Sequence, residues 1–225
     1  YNMTSERKLI KNYSKLYKQR IASVFNDIHD EKIADFIELL LKSRKNKSNI
    51  YFIGNGGSAA TASHFVNDLS IGTKALSQPF MAISLCDNQA VITAIANDYG
   101  YEHIFSKQLA VLLKKDDVVV AISASGNSPN LITAVNLAKD KNAITVGLTA
   151  FDGGKLKQMA DMSVHVPTKQ GEYGPAEDAH LMLGHLVTNY LRQTIKEYTC
   201  LIFLDILQRM SLSVLVHKYL HHFGI

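Results

Sequence analysis

Five short apolar runs rich in β-forming residues punctuate the chain: 49–53 (NIYFI), 80–86 (FMAISLC), 117–122 (DVVVAI), 143–149 (AITVGLT) and 162–167 (MSVHVP). Each has the length of a strand, and β-branched side chains suit a pleated surface. Between them the apolar positions recur at helical period, over about 57–70, 88–113, 129–141 and 152–160. Strands alternating with helices predict βαβ units and a parallel sheet covered on both faces. Two further helical stretches, at about 5–25 and 28–45, precede the first run, and a long one at about 176–198 follows the last. No Pro/Gly/Ser-rich linker and no internal repeat interrupts this order. The pattern predicts one α/β domain over 1–198, a doubly wound five-stranded parallel sheet with added N- and C-terminal helices, and a helical extension of unassigned role over 199–225.

Composition narrows this reading only a little. The chain has 225 residues, 47% of them hydrophobic, enough for one large core or at most two small ones. Its formal net charge is +4, and no stretch pairs basic residues with stacking aromatics, so no nucleic-acid partner is expected. The densest basic run, KSRKNKS at 42–48, reads as a solvated connector before the first strand. Cys86 and Cys200 stand far apart without metal-ligand spacing, which points to free thiols and a cytoplasmic protein. The polar start YNMTSERKLIKNYSK does not read as a secretory leader. The apolar stretch LIFLDILQRMSLSVLV at 201–216 is interrupted by Asp205, Gln208 and Arg209, so a packed or oligomer-forming helix is expected there, not a membrane span.

In doubly wound sheets ligands sit beyond the carboxyl ends of the strands, so the loops there are where chemistry belongs. After the first strand comes GNGGS, residues 54–58. Its glycine spacing, Gly54-x-Gly56-x-x-Ala59, meets the loose form of a dinucleotide-binding turn. A ribose-binding acid would be Asp87, about 28 residues past the last motif position instead of about 20. The third strand ends in ISASGNSPN, residues 122–130, with Ser123, Ser125 and Ser128 around Gly126. Serine hydroxyls together with the unpaired amides of a helix N-terminus make a good anion site, and Pro129 fits the first helical turn. A lone loop of this kind is usually a serine cap and a turn. Two such loops side by side suit one sugar phosphate, and a dinucleotide would not need the second.

The stretches GNGGSAATASHF, ANDYG, SASGNS and LTAFDGGKLKQMAD resemble the sugar isomerase (SIS) fold, and within it the phosphoheptose isomerases. The likeness runs from about residue 10 to 197 with the motifs in family order. It implies a flavodoxin-like sheet, a homotetramer with active sites shared between subunits, and interconversion of sedoheptulose 7-phosphate with a heptose 7-phosphate. Substrate contacts implied by it fall on Asn55, Gly56, Gly57, Ser58, Asp68, Asn97, Asp98, Ser123, Ala124, Ser125, Ser128 and Glu177.

His64 and Asp68 lie four apart on the helix leaving the first loop and project from one face, a spacing compatible with a divalent metal. Alone, such a pair is usually a solvated surface contact. The resemblance adds Glu177 and His185 and implies zinc held by His64, Asp68, Glu177 and His185. In the family pattern the positions of Asp68 and Glu177 carry Glu and Gln. An Arg and an Asp stand where this chain has Gly72 and Gly174. Glu177 and His185 are eight residues apart, roughly 12 Å along a helix, so their convergence on one ion would need more than one chain.

Aldose–ketose isomerisation moves a proton between neighbouring carbons through an enediol, with Asp68 expected as base and His185 as acid or relay. A group cannot be a tight zinc ligand and a free base at once, and both roles stand open at this level. Two other classes remain in view. One is a non-catalytic SIS module that binds a sugar phosphate or docks on a regulatory partner such as a replication initiator. The other is an NAD-dependent enzyme, resting on the first loop and Asp87. The His/Asp/Glu/His set favours the isomerase, because a docking module has no use for it.

Overall fold

The computed structural model describes residues 3–75 and 77–195. The expected extension 199–225, with Cys200, lies outside the described residues.

Two N-terminal helices, α1 (Met3–Asn26) and α2 (Asp30–Asn46), lead into β1 (Asn49–Gly54), α3 (Gly57–Asn67) and β2 (Met81–Ser84). Then follow α4 (Gln89–Tyr99), α5 (Ser106–Leu112), β3 (Val118–Ser123), α6 (Pro129–Asp140), β4 (Ile144–Thr149), α7 (Gly154–Met159) and β5 (Met162–His165). A last helix, α8, occupies 173–195. The five strands form one parallel sheet in the order β2-β1-β3-β4-β5. This is the flavodoxin-like arrangement, whose crevice opens where the chain leaves β1 in one direction and β3 in the other.

Alternate strand residues feed two cores, as the pleat requires. Ile50, Phe52, Val118, Val120, Ile122, Val146 and Leu148 pack beneath α1, α2, α3 and α8. Tyr51, Ile53, Val119 and Ala121 face Leu109, Leu131, Ala134 and Leu156 on the opposite side. Phe65 of α3 sits at the centre of the first core, 4.9 Å from the Phe52 ring and 6.1 Å from the Phe36 ring, centroid to centroid.

The structure departs from the expected helices in two places. The stretch 88–113 is not one helix. Gly100 at φ +95° ends α4, a single 3₁₀ turn covers Tyr101–His103, and α5 starts afresh at Ser106. The helix expected over 57–70 is α-helical only to Asn67, and Asp68–Gly72 winds into a π turn. Such turns insert one extra residue per turn and re-aim the side chains on them, often at functional sites. No described helix is long and apolar enough to cross a membrane.

Candidate active site

The register of β1 against β3 pairs Ile53 with Ala121 and Gly54 with Ile122, so both glycine- and serine-rich loops leave the sheet side by side. In the first loop Gly56 has φ +54°, a conformation that favours glycine. Gly57 opens α3, and a Cβ there would run into the carboxylate of Glu177 from α8. Glu177 thus lies at the N-terminus of α3, where the amide dipoles favour a negative group.

In the second loop the Ser123 hydroxyl accepts the Gly126 amide at 3.0 Å, and the Ser125 hydroxyl accepts the Asn127 amide at 3.3 Å. Each serine oxygen is oriented by an amide, and each keeps its own O–H for donation. Ser128, the N-cap of α6, uses its side chain for no capping bond, which leaves that hydroxyl available as well. The loop is fastened from behind. The Lys155 amide donates to Asn127 Oδ1 at 3.1 Å, the Leu156 amide donates to the Gly126 carbonyl at 2.9 Å, and a Cβ on Gly126 (φ +64°) would collide with the Gly153 carbonyl.

Asn55, Ser58, Ser123, Ser125, Ser128 and Glu177 are among the residues enclosing a cavity of about 130 Å³ between the loops. Asn130 is a residue that the sequence reading missed. It is 1% exposed and exchanges two amide hydrogen bonds with Asn55, at 2.8 and 2.9 Å. Tyr101 donates to Asn55 Oδ1 at 3.0 Å, so two elements, α6 and the 3₁₀ turn, fix that one side chain. The sequence signal for Asn130 was thin, a polar residue just after a helix-opening Pro129.

The second cluster lies further along α3 and α8. Gly184 faces the Phe65 ring, where an added Cβ would stand 3.6 Å away, so α8 lies close against α3. That brings His185 Nε2 to 3.0 Å from His64 Nε2 and 3.8 Å from Asp68 Oδ2. His64 Nε2 is itself 3.3 Å from the same carboxylate oxygen. Among the described residues, His64, Asp68 and His185 form a group with all three donor atoms within 4.8 Å of one another. Ligand atoms tetrahedrally arranged about 2.0–2.1 Å from an ion sit about 3.3 Å apart, so this donor set fits a divalent cation. Two facing imidazole nitrogens and a carboxylate are also the donor chemistry that zinc, iron and nickel accept.

Residues 12–150 match the SIS domain family. The chain belongs to that family. The phosphoheptose isomerase of Helicobacter pylori strain P12 is 37% identical over 163 residues, covering 72% of this chain and 84% of that protein. That of Aliarcobacter butzleri is 35% identical over 170 residues, covering 71% and 89%. Among solved structures, the phosphoheptose isomerase of Neisseria gonorrhoeae aligns with TM-score 0.72 and 31% identity over 84% of this chain and 98% of its own. Within the SIS domain proteins the chain therefore falls among the phosphoheptose isomerases.

Against the SIS expectations, the structure brings Asn55, Ser58, Ser123, Ala124, Ser125, Ser128 and Glu177 to one cavity, with Gly56 and Gly57 beside it. Asn97 and Asp98 line neither cavity described for this chain; they hydrogen-bond each other at 2.9 Å on the exposed α4. Glu177 does not join the His64/Asp68/His185 group. Within one chain His185 already reaches His64 and Asp68, so the meeting of these three does not itself call for a second chain. The eight-residue spacing that argued for a second chain instead places Glu177 and His185 at two stations of one helix, roughly 12 Å apart. Gly174 has a clear steric partner, since a Cβ there would meet the Tyr17 hydroxyl at 2.9 Å. Tyr17 donates to Asp178 Oδ2 at 2.6 Å, and that bond, with burial and the nearby negative charge, raises its pKa to about 12.

Proposed function

We propose that this chain is a sugar-phosphate isomerase that converts sedoheptulose 7-phosphate into D-glycero-D-manno-heptose 7-phosphate through an enediol, feeding heptose synthesis for surface polysaccharide. The observation that carries the reading is the alignment of two stations along α3 and α8. Gly57 to His64 is seven residues and Glu177 to His185 eight, so the histidines lie roughly 10–12 Å from the serine cavity along the helix axes. A seven-carbon chain ending in phosphate reaches on the order of 10 Å when extended, with bonds of about 1.5 Å. Phosphate at the serines thus sets the carbonyl end beside Asp68.

In this reading Ser123, Ser125 and Ser128 donate to phosphate oxygens, supported by the Asn130 amide in the first turn of α6, where Pro129 has no N–H and the Leu131 amide is already bonded. Asn55, held by Asn130 and Tyr101, presents its remaining polar capacity to sugar hydroxyls. Asp68 takes a proton from C1 of the ketose and returns one to C2, while His185 passes a proton between the two oxygens. The two oxygens of Asp68 have different surroundings: Oδ2 faces both histidines, and Oδ1 accepts from Asn67 at 3.2 Å. Oδ1 is therefore the proton acceptor, and Oδ2 belongs to the histidine group. His64, Asp68 and His185 would hold zinc, and when bound the ion would polarise the substrate carbonyl in place of the His185 proton relay, because a metal-bound Nε2 carries no proton to pass. We place the enzyme in the cytoplasm as a homotetramer, with Glu177 turned toward the substrate.

A coupled assay on sedoheptulose 7-phosphate and shorter ketose phosphates, before and after chelation and zinc return, tests the proposal. The seven-carbon substrate is expected to turn over fastest, with activity lost on chelation and restored by zinc. Absence of turnover on every ketose phosphate with and without zinc would overturn it in favour of a binding module.

A further inference from the structure

Beside the histidine group lies a second cavity, of about 140 Å³, enclosed by Asp68, Gly72, His185, Thr188, Asn189 and Arg192. Its α8 wall is one helical face. Positions 185, 188, 189 and 192 follow the i, i+3, i+4, i+7 pattern, and side chains on a helix lean toward its N-terminus. The Arg192 side chain therefore leans back toward His185. Its opposite wall ends the π turn at Gly72, where a Cβ would stand 3.6 Å from Asp68 Cβ and 3.7 Å from Asp68 Oδ1. A longer side chain at 72 would project into the space beside the carboxylate, so glycine keeps it open.

The chemistry of this wall is unspent. Thr188 commits its hydroxyl proton to the Gly184 carbonyl at 2.9 Å, but Arg192 and Asn189 form no ion pair or side-chain hydrogen bond among the described residues. A guanidinium stays charged at all working pH values and carries donors in a planar fork suited to a pair of oxygens. Asp68, the first residue of the π turn, lines this same space.

We infer that Arg192 is a further catalytic residue, which binds the two oxygens of the enediolate while Asp68 holds the proton taken from carbon. The inference rests on the isomerase reading above and deepens it. When the C1 proton moves to Asp68 Oδ1, the electron pair of the C–H bond forms the C1–C2 double bond and the carbonyl π pair moves onto oxygen. That oxygen gains charge, and a pre-placed cation stabilises it more than the neutral ketose, which is the condition for raising kcat. Asn189 adds a neutral donor at the same wall.

Wild type, Arg192→Ala and Arg192→Lys distinguish the role. Two readouts are taken for each: turnover of sedoheptulose 7-phosphate, and calorimetric affinity for a phosphate-terminated hydroxamic acid that mimics the enediolate, with inorganic phosphate as reference. In Arg192→Ala, kcat is expected to fall about 100-fold with KM nearly unchanged, in the range seen on removing one oxyanion donor. The hydroxamate should weaken at least tenfold while inorganic phosphate binds as before. Arg192→Lys should recover part of the loss, and added guanidinium ion should partly rescue Arg192→Ala. Wild-type turnover and wild-type hydroxamate affinity in Arg192→Ala would overturn the inference. A wild type inactive on all ketose phosphates would overturn the isomerase reading, and the hydroxamate measurement would still decide whether Arg192 meets the anion.

Discussion

Gly57 and Glu177 occupy each other's space: one has no side chain because the carboxylate of the other stands there. Replacing Gly57 with Ala displaces only the flexible end of Glu177, so the fold is expected to survive. Thermal melting should stay within a few degrees of wild type, whereas substrate affinity should fall about tenfold, or about 1.4 kcal/mol. Equal loss of stability and affinity would mean that the contact is structural and not part of the site. His180, three residues on, is fully buried. Its Nε2–H donates to the Thr149 carbonyl at 3.3 Å and its Nδ1 has no partner, so the neutral ring is the form the core accepts. Burial lowers its pKa to about 4, with a smaller contribution from His165, whose own pKa burial also lowers. In the unfolded chain the ring titrates near 6.5, so between these values the unfolded state holds the extra proton. Stability is therefore unaffected by this group above about pH 6.5 and falls as the pH drops toward 4, by about 3 kcal/mol in all. Urea unfolding at pH 7.5 and 4.5 should show that loss in wild type and a smaller one in His180→Gln; identical slopes would contradict it.

At the level of elements, the strands were legible because each is a short apolar run, with β1, β3 and β4 buried on both faces, and the loops because their glycines and serines follow those runs directly. The break in 88–113 was less so. Gly100 looks like one glycine in an apolar periodic stretch, and only its left-handed backbone ends the helix. The π turn at Asp68–Gly72 leaves no periodicity signal in five residues. The joining of His64 and Asp68 with His185 was out of reach for another reason. It depends on how closely α8 lies on α3, which the small residue at 184 and the ring at 65 decide together across 119 positions of sequence. The lock between the serine loop and the start of α7 gives a test at this scale. Gly126→Ala introduces a Cβ at φ +64° against backbone, with no flexible side chain to yield. It should cost on the order of 2 kcal/mol or more in chemical denaturation and weaken phosphate binding with it. A wild-type midpoint would show that the loop is not fastened as described.

For the whole molecule, the sheet order places both loops at one crevice, and two helices running side by side carry the chemistry away from it. Because His64, Asp68 and His185 share a chain, mixing His64→Ala chains with His185→Ala chains rebuilds no intact group. No activity should return even after proven subunit exchange; recovery would mean that neighbouring chains complete the site. Proton transfer between adjacent carbons at Asp68 is tested most directly by NMR of the product formed from sedoheptulose 7-phosphate in deuterated water by wild type and Asp68→Asn. Wild type is expected to place solvent deuterium at C2 of the aldose product, and conversion is expected to fall by at least about 100-fold in the variant. An Asp68→Asn enzyme as fast as wild type would contradict it.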